Sequence, residues 1–506
     1  MRRLLVATLA TVLTLAGTTV PATAAPAPGA PGVGDEYFPD YGNGGYDVSH
    51  YDVRLRYFPE TDQLTGTTTI LAKAEQDLSS FNLDFVLDVA SIKVNNRPAT
   101  FTKQGDHELV VTPARPVTTG QDLTVVVQYS GVPSNKVAAG FTAWIRTPDG
   151  ALAVGEPEEA WWWFPSNDHP SDKATFDVSV AVPDGVEVIS NGVQPRNPTR
   201  ETLGWTRWYW RSAKPQATYL AFIAIGQYSL TRDVMPDGEP VINAYSELLP
   251  ADFDAAARSS VERTAEITEW LGGKFGPWPF TARGGLVAPP STLGFALENQ
   301  TRPTYGANFF RGGSNTSVVV HENAHQYFGD AVSVAQWKEI WLNEGFASYA
   351  EWLWSEEQGE GTADELFDFL YATQPDDFWT VKPGDPGPAN VFDGAVYDRG
   401  AMTLHQLRRT VGDEDFFQIL RTWVADHRYG HATTAEFIAL AEQVSGTQLD
   451  DLFEVWLYTP RKPDVLSPLQ KAGAAKAAAT ATSPKAPKAP KSWAKIQQNR
   501  EMLHRH

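Results

Sequence analysis

The sequence predicts an α+β protein in which an antiparallel β-sheet domain at residues 36–230 precedes a mainly helical domain at residues 231–465. Three observations support this fold class. A chain of 506 residues, of which 42% are hydrophobic, is too long for one compact core. The apolar pattern changes from strand-like to helical near residue 250. Residues 466–506 have low complexity and are expected to form a disordered tail.

The first 24 residues have the pattern of a secretory signal peptide. Arg2 and Arg3 precede an apolar run, and an Ala-Thr-Ala sequence at 22–24 is typical of a cleavage site. We therefore expect a secreted protein whose mature chain begins near Ala25 and contains no transmembrane segment. The arginine pair also fits twin-arginine export, so the export route stays open.

The β-sheet domain is predicted from segments that alternate polar and apolar residues or are rich in β-branched and aromatic residues. Gly, Pro, Asn and Asp separate these segments, as expected for turns. The segments are YDVSHYDVRLRYF, TGTTTILAKA, DLTVVVQYSG, ATFDVSVAVPDGVEVISNG and TRWYWRSA.

The second domain is predicted to be helical because its apolar residues recur every three or four positions. A capping box formed by Thr433 and Glu436 begins the last of these helices. The predicted helices lie at 251–273, 314–329, 338–359, 399–412 and 433–446.

Composition excludes several kinds of chemistry. The chain has no cysteine, so thiol catalysis, thiolate metal sites and disulfides are absent, and His, Asp and Glu are the strong ligands available. The net charge is −20, although residues 466–506 contain eight Lys and Arg against one Glu. The folded part is therefore strongly acidic, which argues against nucleic acid as a partner and is compatible with an amine-bearing substrate.

The stretch VVVHENAHQYFGD places His321 and His325 one helical turn apart, on the same face. Glu322 points to the side of that face. This is the geometry of a zinc site, but two histidines also fall on one helix face by chance. The motif therefore needs a third ligand elsewhere in the chain.

Glu344, in WLNEGFASYAEW, supplies a candidate third ligand. It follows His325 by 19 residues and lies on the next predicted helix, where an antiparallel return brings its carboxylate to the same metal. Two His and one Glu leave a fourth position for water, which is the pattern of catalytic zinc. Glu322 is then placed to take a proton from that water. We expect one Zn²⁺ per chain.

Six blocks of the sequence, in the same order, resemble the aminopeptidase N family of zinc metallopeptidases, gluzincins in which HExxH is followed by eighteen residues and Glu. The resemblance covers roughly residues 40–462. It implies a saddle-like N-terminal β-sheet domain and a thermolysin-like catalytic domain. The blocks are AVGEPEEAWWWFPSNDHPSDKATF at 153–176, GKFGPWPF at 273–280, GFALENQTRPTY at 294–305, the segment with both histidines, NEGFASY at 343–349 and VYDRGAMTLHQL at 396–407.

The resemblance implies roles for the catalytic residues. Zinc would be held by His321, His325 and Glu344, and Glu322 would be the general base. Tyr397 of VYDRG matches the family tyrosine whose hydroxyl stabilises the oxyanion together with zinc. A tyrosine that merely fills the core at a helix start is the alternative.

The resemblance also implies a site for the substrate amine. Glu298 in FALEN matches the glutamate of the family's G-x-M-E-N motif, and Glu156 matches a second family glutamate; both grip the free α-ammonium. Ala296 and Asn299 of the same motif complete the predicted substrate-binding residues. Two carboxylates around one ammonium select a chain end, because an internal peptide brings no positive charge. Solvated surface glutamates are the alternative.

Asn323 replaces the usual aliphatic residue inside the zinc motif, and three further positions depart from the family pattern near the substrate pocket. Phe295 and Leu297 replace the first Gly and the Met of G-x-M-E-N, and Val154 replaces a Gln that often lines the first specificity pocket. A bulky residue at 295 changes the expected pocket shape and backbone pairing. No metal ligand is lost.

Two further features have more than one interpretation. The three tryptophans at 161–163 could form a ligand-stacking platform, but are better explained as residues that alternate between the faces of a strand and fill the core. Asp330 could orient a ligand histidine through its second ring nitrogen, or be a plain helix-terminal acid.

Together these features predict a secreted, monomeric, zinc-dependent aminopeptidase acting on peptides with a free N-terminus. One alternative is an endopeptidase with the same zinc chemistry. The other is a non-catalytic secreted protein that binds peptides or glycans through its aromatic N-terminal domain.

Overall fold

The computed structural model describes residues 25–464 and 487–503. The predicted signal peptide and the tail residues 465–486 and 504–506 lie outside this described part. Within it, no helix is both long and apolar enough to cross a membrane.

The N-terminal half folds into two β-sheets. One sheet has eleven strands in the order β1-β4-β7-β6-β5-β8-β3-β2-β11-β14-β13, and the other has four in the order β12-β15-β10-β9. All neighbours pair antiparallel except β1 with β4 and β2 with β11, which confirms a mainly antiparallel sheet domain. The strands are β1 (Ala27–Pro28), β2 (Tyr46–Phe58), β3 (Gln63–Ala74), β4 (Leu78–Asp84), β5 (Asp88–Val94), β6 (Arg97–Gln104), β7 (Glu108–Thr112), β8 (Asp122–Gly131), β9 (Trp144–Arg146), β10 (Ala151–Ala153), β11 (Lys173–Pro183), β12 (Glu187–Ser190), β13 (Thr199–Thr202), β14 (Trp205–Ala217) and β15 (Ile223–Gly226).

The three consecutive tryptophans are buried, but they do not form a strand. Residues Ala160–Trp162 form a 3₁₀ turn, so the strand prediction was wrong and the core-filling role was right. A strand points successive side chains to opposite faces and cannot put three adjacent indoles into one core, whereas a tight turn can. Trp161 stacks on His107 with ring centroids 3.9 Å apart, which leaves no open platform.

The second half contains a five-stranded sheet, a two-stranded sheet and most of the helices. The five-stranded order is β16-β17-β18-β20-β19. The predicted boundary after residue 230 falls inside β16, which pairs with β17. The strands are β16 (Tyr228–Val234), β17 (Pro240–Ser246), β18 (Arg283–Val287), β19 (Ala296–Leu297), β20 (Thr304–Tyr305), β21 (Val332–Val334) and β22 (Gly430–Ala432). The helices are α1 (Ala251–Val261), α2 (Thr264–Phe275), α3 (Thr316–His325), α4 (Trp341–Gln358), α5 (Ala363–Thr373), α6 (Gly394–Val411), α7 (Asp413–His427), α8 (Thr434–Ser445), α9 (Asp450–Phe453) and α10 (Trp493–Leu503).

The helix predicted at 251–273 is broken into α1 and α2. The Thr264 hydroxyl donates to the carbonyl of Val261 at 2.6 Å, a local bond that competes with the helical ladder. The other predicted helices are present with shifted ends. The capping box of Thr433 and Glu436 at the start of α8 is confirmed.

The end of the predicted disordered tail needs a correction, because residues 493–503 form the helix α10. Ile496 and Leu503 of α10 are buried in the same apolar core as α3, α4 and α6. Residues 466–492 are rich in Ala, Lys and Pro, and this composition masks the helical spacing of the apolar residues at 493–503. Residues of the folded domain supply the burial that the tail sequence lacks by itself.

Residues before β2 join the two halves of the protein. Oδ2 of Asp35 accepts a hydrogen bond from the Trp337 backbone N–H at 2.8 Å and lies 3.2 Å from Nε2 of His169. His169 belongs to the β-sheet half and Trp337 to the helical half. All these groups are buried, so the contact fixes the position of one half against the other.

Helices α4 and α6 cross in close contact at two glycines. A Cβ atom added at Gly400 would lie 2.8 Å from the Cα of Gly345, a distance that real Cβ contacts do not reach. Glu344, next to Gly345, and Tyr397, one turn before Gly400, lie in the first turns of α4 and α6 and so near this crossing.

The variant Gly400→Ala is expected to destabilise the protein by about 1–3 kcal/mol, because the added methyl meets backbone and forces α4 and α6 apart. The shift in the urea midpoint measures this change. The matched control is Gly273→Ala on α2, where an added Cβ meets open space. That variant should gain up to about 1 kcal/mol from helix propensity. Equal stability of Gly400→Ala and the wild type would contradict the proposed close crossing.

Candidate metal centre

The three predicted metal ligands converge on one point. Helix α3 presents both histidines, and α4 returns alongside it to bring Glu344. Nε2 of His321 lies 3.2 Å from Nε2 of His325. Oε2 of Glu344 lies 3.3 Å from each of these nitrogens. All three side chains are buried.

This triangle fits Zn²⁺. A tetrahedral zinc with bonds of about 2.0–2.2 Å separates its ligand atoms by about 3.3–3.5 Å, which matches the observed spacing. Two imidazoles and one carboxylate are a ligand set that zinc prefers, and three protein ligands leave a fourth position open. The ligand atoms of the three residues lie within 4.8 Å of one another, close enough to bind one ion.

The second nitrogen of each histidine is held by a hydrogen bond. Nδ1 of His321 donates to Oε1 of Glu351 at 2.8 Å, and Nδ1 of His325 donates to the carbonyl of Phe328 at 3.1 Å. These bonds fix the tautomer that directs the Nε2 lone pairs to the metal. Of the two interpretations of Asp330, orientation of a ligand histidine is therefore excluded. Asp330 is buried after α3, and its carboxylate accepts no hydrogen bond from the described residues.

Glu351 is a functional residue that the sequence reasoning missed. It lies seven residues after Glu344, which is two turns along the same face of α4. That spacing was a usable signal. A second acid on the ligand face of a zinc helix is placed to orient a histidine of the neighbouring helix.

Glu322 lies beside the metal ligands, as predicted. Its side chain is 1% exposed, and Oε1 accepts no hydrogen bond from the described residues. Burial raises the pKa of Glu322 to about 8, although His321 and His325 act in the opposite direction. A buried carboxylate with a free oxygen next to the metal centre is able to accept a proton from a bound water.

Tyr397 lies near the ligands, in the first turn of α6. Its ring is nearly parallel to that of His321, with ring centroids 6.1 Å apart. Burial raises the pKa of the phenol well above its ordinary value, and the charge of Glu344 acts in the same direction. The hydroxyl therefore stays protonated and is able to donate a hydrogen bond.

The two glutamates predicted to bind the amine are buried close to each other. Burial raises the pKa of Glu156, and repulsion from Glu298 is the next cause. The Glu298 carboxylate lies within 4.8 Å of ligand atoms of Glu322 and His325. Oε1 of Glu156 accepts no hydrogen bond from the described residues. Neither side chain is a solvated surface glutamate, and a cation between them would relieve their repulsion.

The strand before Glu298 is the edge of the five-stranded sheet. Ala296 and Leu297 form β19, which pairs on one side with β20. The other side of an edge strand offers free backbone groups to an extended peptide. Phe295 precedes this edge and is half-buried, whereas Asn299 is fully buried and donates to the carbonyl of Leu220 at 3.3 Å. The Asn299 amide thus contacts the β-sheet half through its nitrogen, and its role in substrate binding stays a prediction.

Two family models match the chain. The Peptidase M1 N-terminal domain matches residues 48–220, and the Peptidase family M1 domain matches residues 307–456. Among curated proteins, the chain is 25% identical to glutamyl aminopeptidase of Rattus norvegicus and 26% identical to aminopeptidase M1 of Arabidopsis thaliana. Both matches cover 80% of this chain, but the chain spans only 46% and 49% of those relatives.

Solved structures of similar length also match. An M1 zinc metallopeptidase from Deinococcus radiodurans is 29% identical, with a TM-score of 0.77 over 87% of this chain and 99% of that one. A mutant of it bound to a Tyr-Ser-Ala substrate is 29% identical, with a TM-score of 0.76 over 86% of this chain and 100% of that one. These matches confirm the resemblance to the aminopeptidase N family and the zinc site expected from it. With both of its folded halves matched, the chain belongs to peptidase family M1.

Proposed function

We propose that this protein is a secreted zinc-dependent aminopeptidase that removes the N-terminal residue from peptides. The observation that carries the proposal is the pair of buried carboxylates, Glu298 and Glu156, beside the zinc ligands. Like charges buried together are costly, and the α-ammonium of a peptide compensates both. A solved relative bound to a tripeptide substrate supports the same class of ligand.

The site residues have distinct tasks in this proposal. Glu298 and Glu156 bind the substrate ammonium, which places the first peptide bond beside Glu322 and Tyr397. Zinc, when bound, acts as a Lewis acid that polarises the carbonyl and makes water acidic. Glu322 takes the proton from the attacking water and passes it to the departing amine. The Tyr397 hydroxyl donates to the oxygen on which negative charge develops.

The substrate's free amine provides the test. We expect a peptide with a free N-terminus to be cleaved at its first bond, and the same peptide with an acetylated N-terminus to be cleaved at least about 100-fold more slowly. Mass spectrometry of the products identifies the bond. Cleavage should require about one zinc per chain, stop with a chelator and return with Zn²⁺.

Two outcomes would favour the alternatives. Equal cleavage of the acetylated peptide, or cleavage at internal bonds, would indicate an endopeptidase. Tight zinc binding without hydrolysis of any peptide in a panel of all twenty N-terminal residues would indicate a non-catalytic binding protein.

Secretion is proposed from the N-terminal pattern alone, which has the basic residues, apolar run and cleavage sequence of a signal peptide. Expression of the full chain in a secreting host tests it. Protein recovered from the medium should begin near Ala25, and retention of the whole chain inside the cells would contradict the proposal.

A further inference from the structure

Helix α10 places an arginine next to the metal centre. Arg500 lies on α10 and is only 5% exposed. Ile496 and Leu503 anchor the same face of α10 in the apolar core. An apolar residue at position 500 would serve packing equally well, so the choice of a guanidinium requires another explanation.

Arg500 joins two acids that flank the site. Its Nε donates to Oδ1 of Asp398 at 3.0 Å, and its Nη2 donates to Oε1 of Glu351 at 3.4 Å. Asp398 follows Tyr397 in the chain, and Glu351 holds His321. The guanidinium carbon also lies 4.8 Å from the centre of the Tyr397 ring. The Arg500 side chain thus contacts both the acid that holds His321 and the acid that follows Tyr397.

Asn499 connects α10 to the same network. Its Nδ2 donates to Oε2 of Glu351 at 3.2 Å, and its Oδ1 accepts from Nδ2 of Asn315 at 2.7 Å. Asn315 is the N-cap of α3, where its side chain accepts from the Val318 backbone N–H. The helix therefore contacts the start of the zinc-binding helix as well as the carboxylate that orients its first ligand.

We propose that α10 completes the active site and that Arg500 is a positioning residue for both His321 and Tyr397. Through Glu351, it fixes the imidazole of His321. Through Asp398 and the ring contact, it fixes the first turn of α6. In this proposal Arg500 acts through Glu351 and Asp398 and not through contact with the substrate. The effect on zinc binding is independent of the proposed activity, whereas the effect on turnover rests on it.

Three variants of the full-length chain test this role. Arg500→Met keeps a long, unbranched side chain but removes the charge and the N–H donors of the guanidinium. Arg500→Lys keeps the charge and only one donor group. Gln497→Ala is the matched control, because Gln497 lies on the exposed face of α10 and its Nε2 donates to the exposed Glu501. Zinc affinity is measured on metal-free protein by competition with a chelating indicator, and kcat and KM are measured at saturating zinc.

We expect Arg500→Met to weaken zinc binding about 10- to 100-fold, as removal of such supporting contacts generally does. Its kcat should fall by a similar factor, while KM stays within about twofold because the proposed role of Arg500 involves no contact with the substrate. Arg500→Lys should recover part of both losses, and Gln497→Ala should match the wild type. A general loss of folding would not produce this ordering.

Zinc affinity and kcat of Arg500→Met within twofold of the wild type would overturn the proposal. Equal losses in all three variants would also overturn it, since they would indicate that α10 contributes only to stability. If the wild type shows no peptidase activity, the proposed function fails, and the zinc competition still decides the role of Arg500 at His321.

Discussion

Replacement of Glu322 by Gln is expected to lower kcat roughly 10²- to 10⁴-fold while leaving about one zinc per chain. General-base catalysis typically contributes this factor, and an amide cannot accept the proton of the attacking water. The carboxylate is already buried with a free oxygen, so the amide fits the same space. Steady-state kinetics on a free-amine peptide and metal analysis of the purified variant measure the two quantities.

The matched control for Glu322→Gln is Glu269→Gln. Glu269 is an exposed residue of α2, away from the metal centre, and its variant should retain wild-type kcat. Wild-type turnover by Glu322→Gln would refute the general-base role. Loss of zinc from that variant would instead make Glu322 part of the metal site.

Replacement of Glu298 by Gln is expected to lower kcat/KM for free-amine peptides about 30- to 1000-fold, corresponding to about 2–4 kcal/mol. This is the usual cost of removing one partner from a buried, hydrogen-bonded charge pair. The substrate ammonium would keep only Glu156 as a charged partner. The slow cleavage of an acetylated peptide should change little, because its amide carries no positive charge.

The ratio of kcat/KM for the free and acetylated peptides is the decisive measurement for Glu298. In Glu298→Gln this ratio should fall towards one. The control is again Glu269→Gln, which should keep the wild-type ratio. A variant with lower rates on both peptides and an unchanged ratio would show that Glu298 supports the metal centre and does not bind the amine.

The metal ligands could be predicted from the sequence because local geometry determines most of their arrangement. Residues four apart, such as His321 and His325, share a face of any α-helix. Glu344 reaches the same point because the next helix returns antiparallel to the first. The resemblance to known peptidases supplied Glu298, Glu156 and Tyr397. Each of these residues lies in a short sequence block that resembles a motif of the family.

Other features depend on contacts between distant segments, which periodicity does not reveal. Arg500 reaches Glu351 across 149 positions of the chain. The burial that orders α10 comes from helices more than eighty residues earlier. The break between α1 and α2 has a local cause. The Thr264 hydroxyl donates to a backbone carbonyl and so competes with the helix that intrinsic propensity alone would continue.

The proposed binding site for the substrate amine is divided between the two halves of the protein. Glu156 follows β10 in the β-sheet half, whereas Glu298 follows β19 in the helical half, and Asp35 fixes one half against the other. In the proposed mechanism the hydrolytic residues thus all belong to one half, whereas recognition of a peptide's first residue requires both halves together. If the proposed function holds, the helical half joined to a different partner domain would be expected to hydrolyse peptide bonds without selecting the first one.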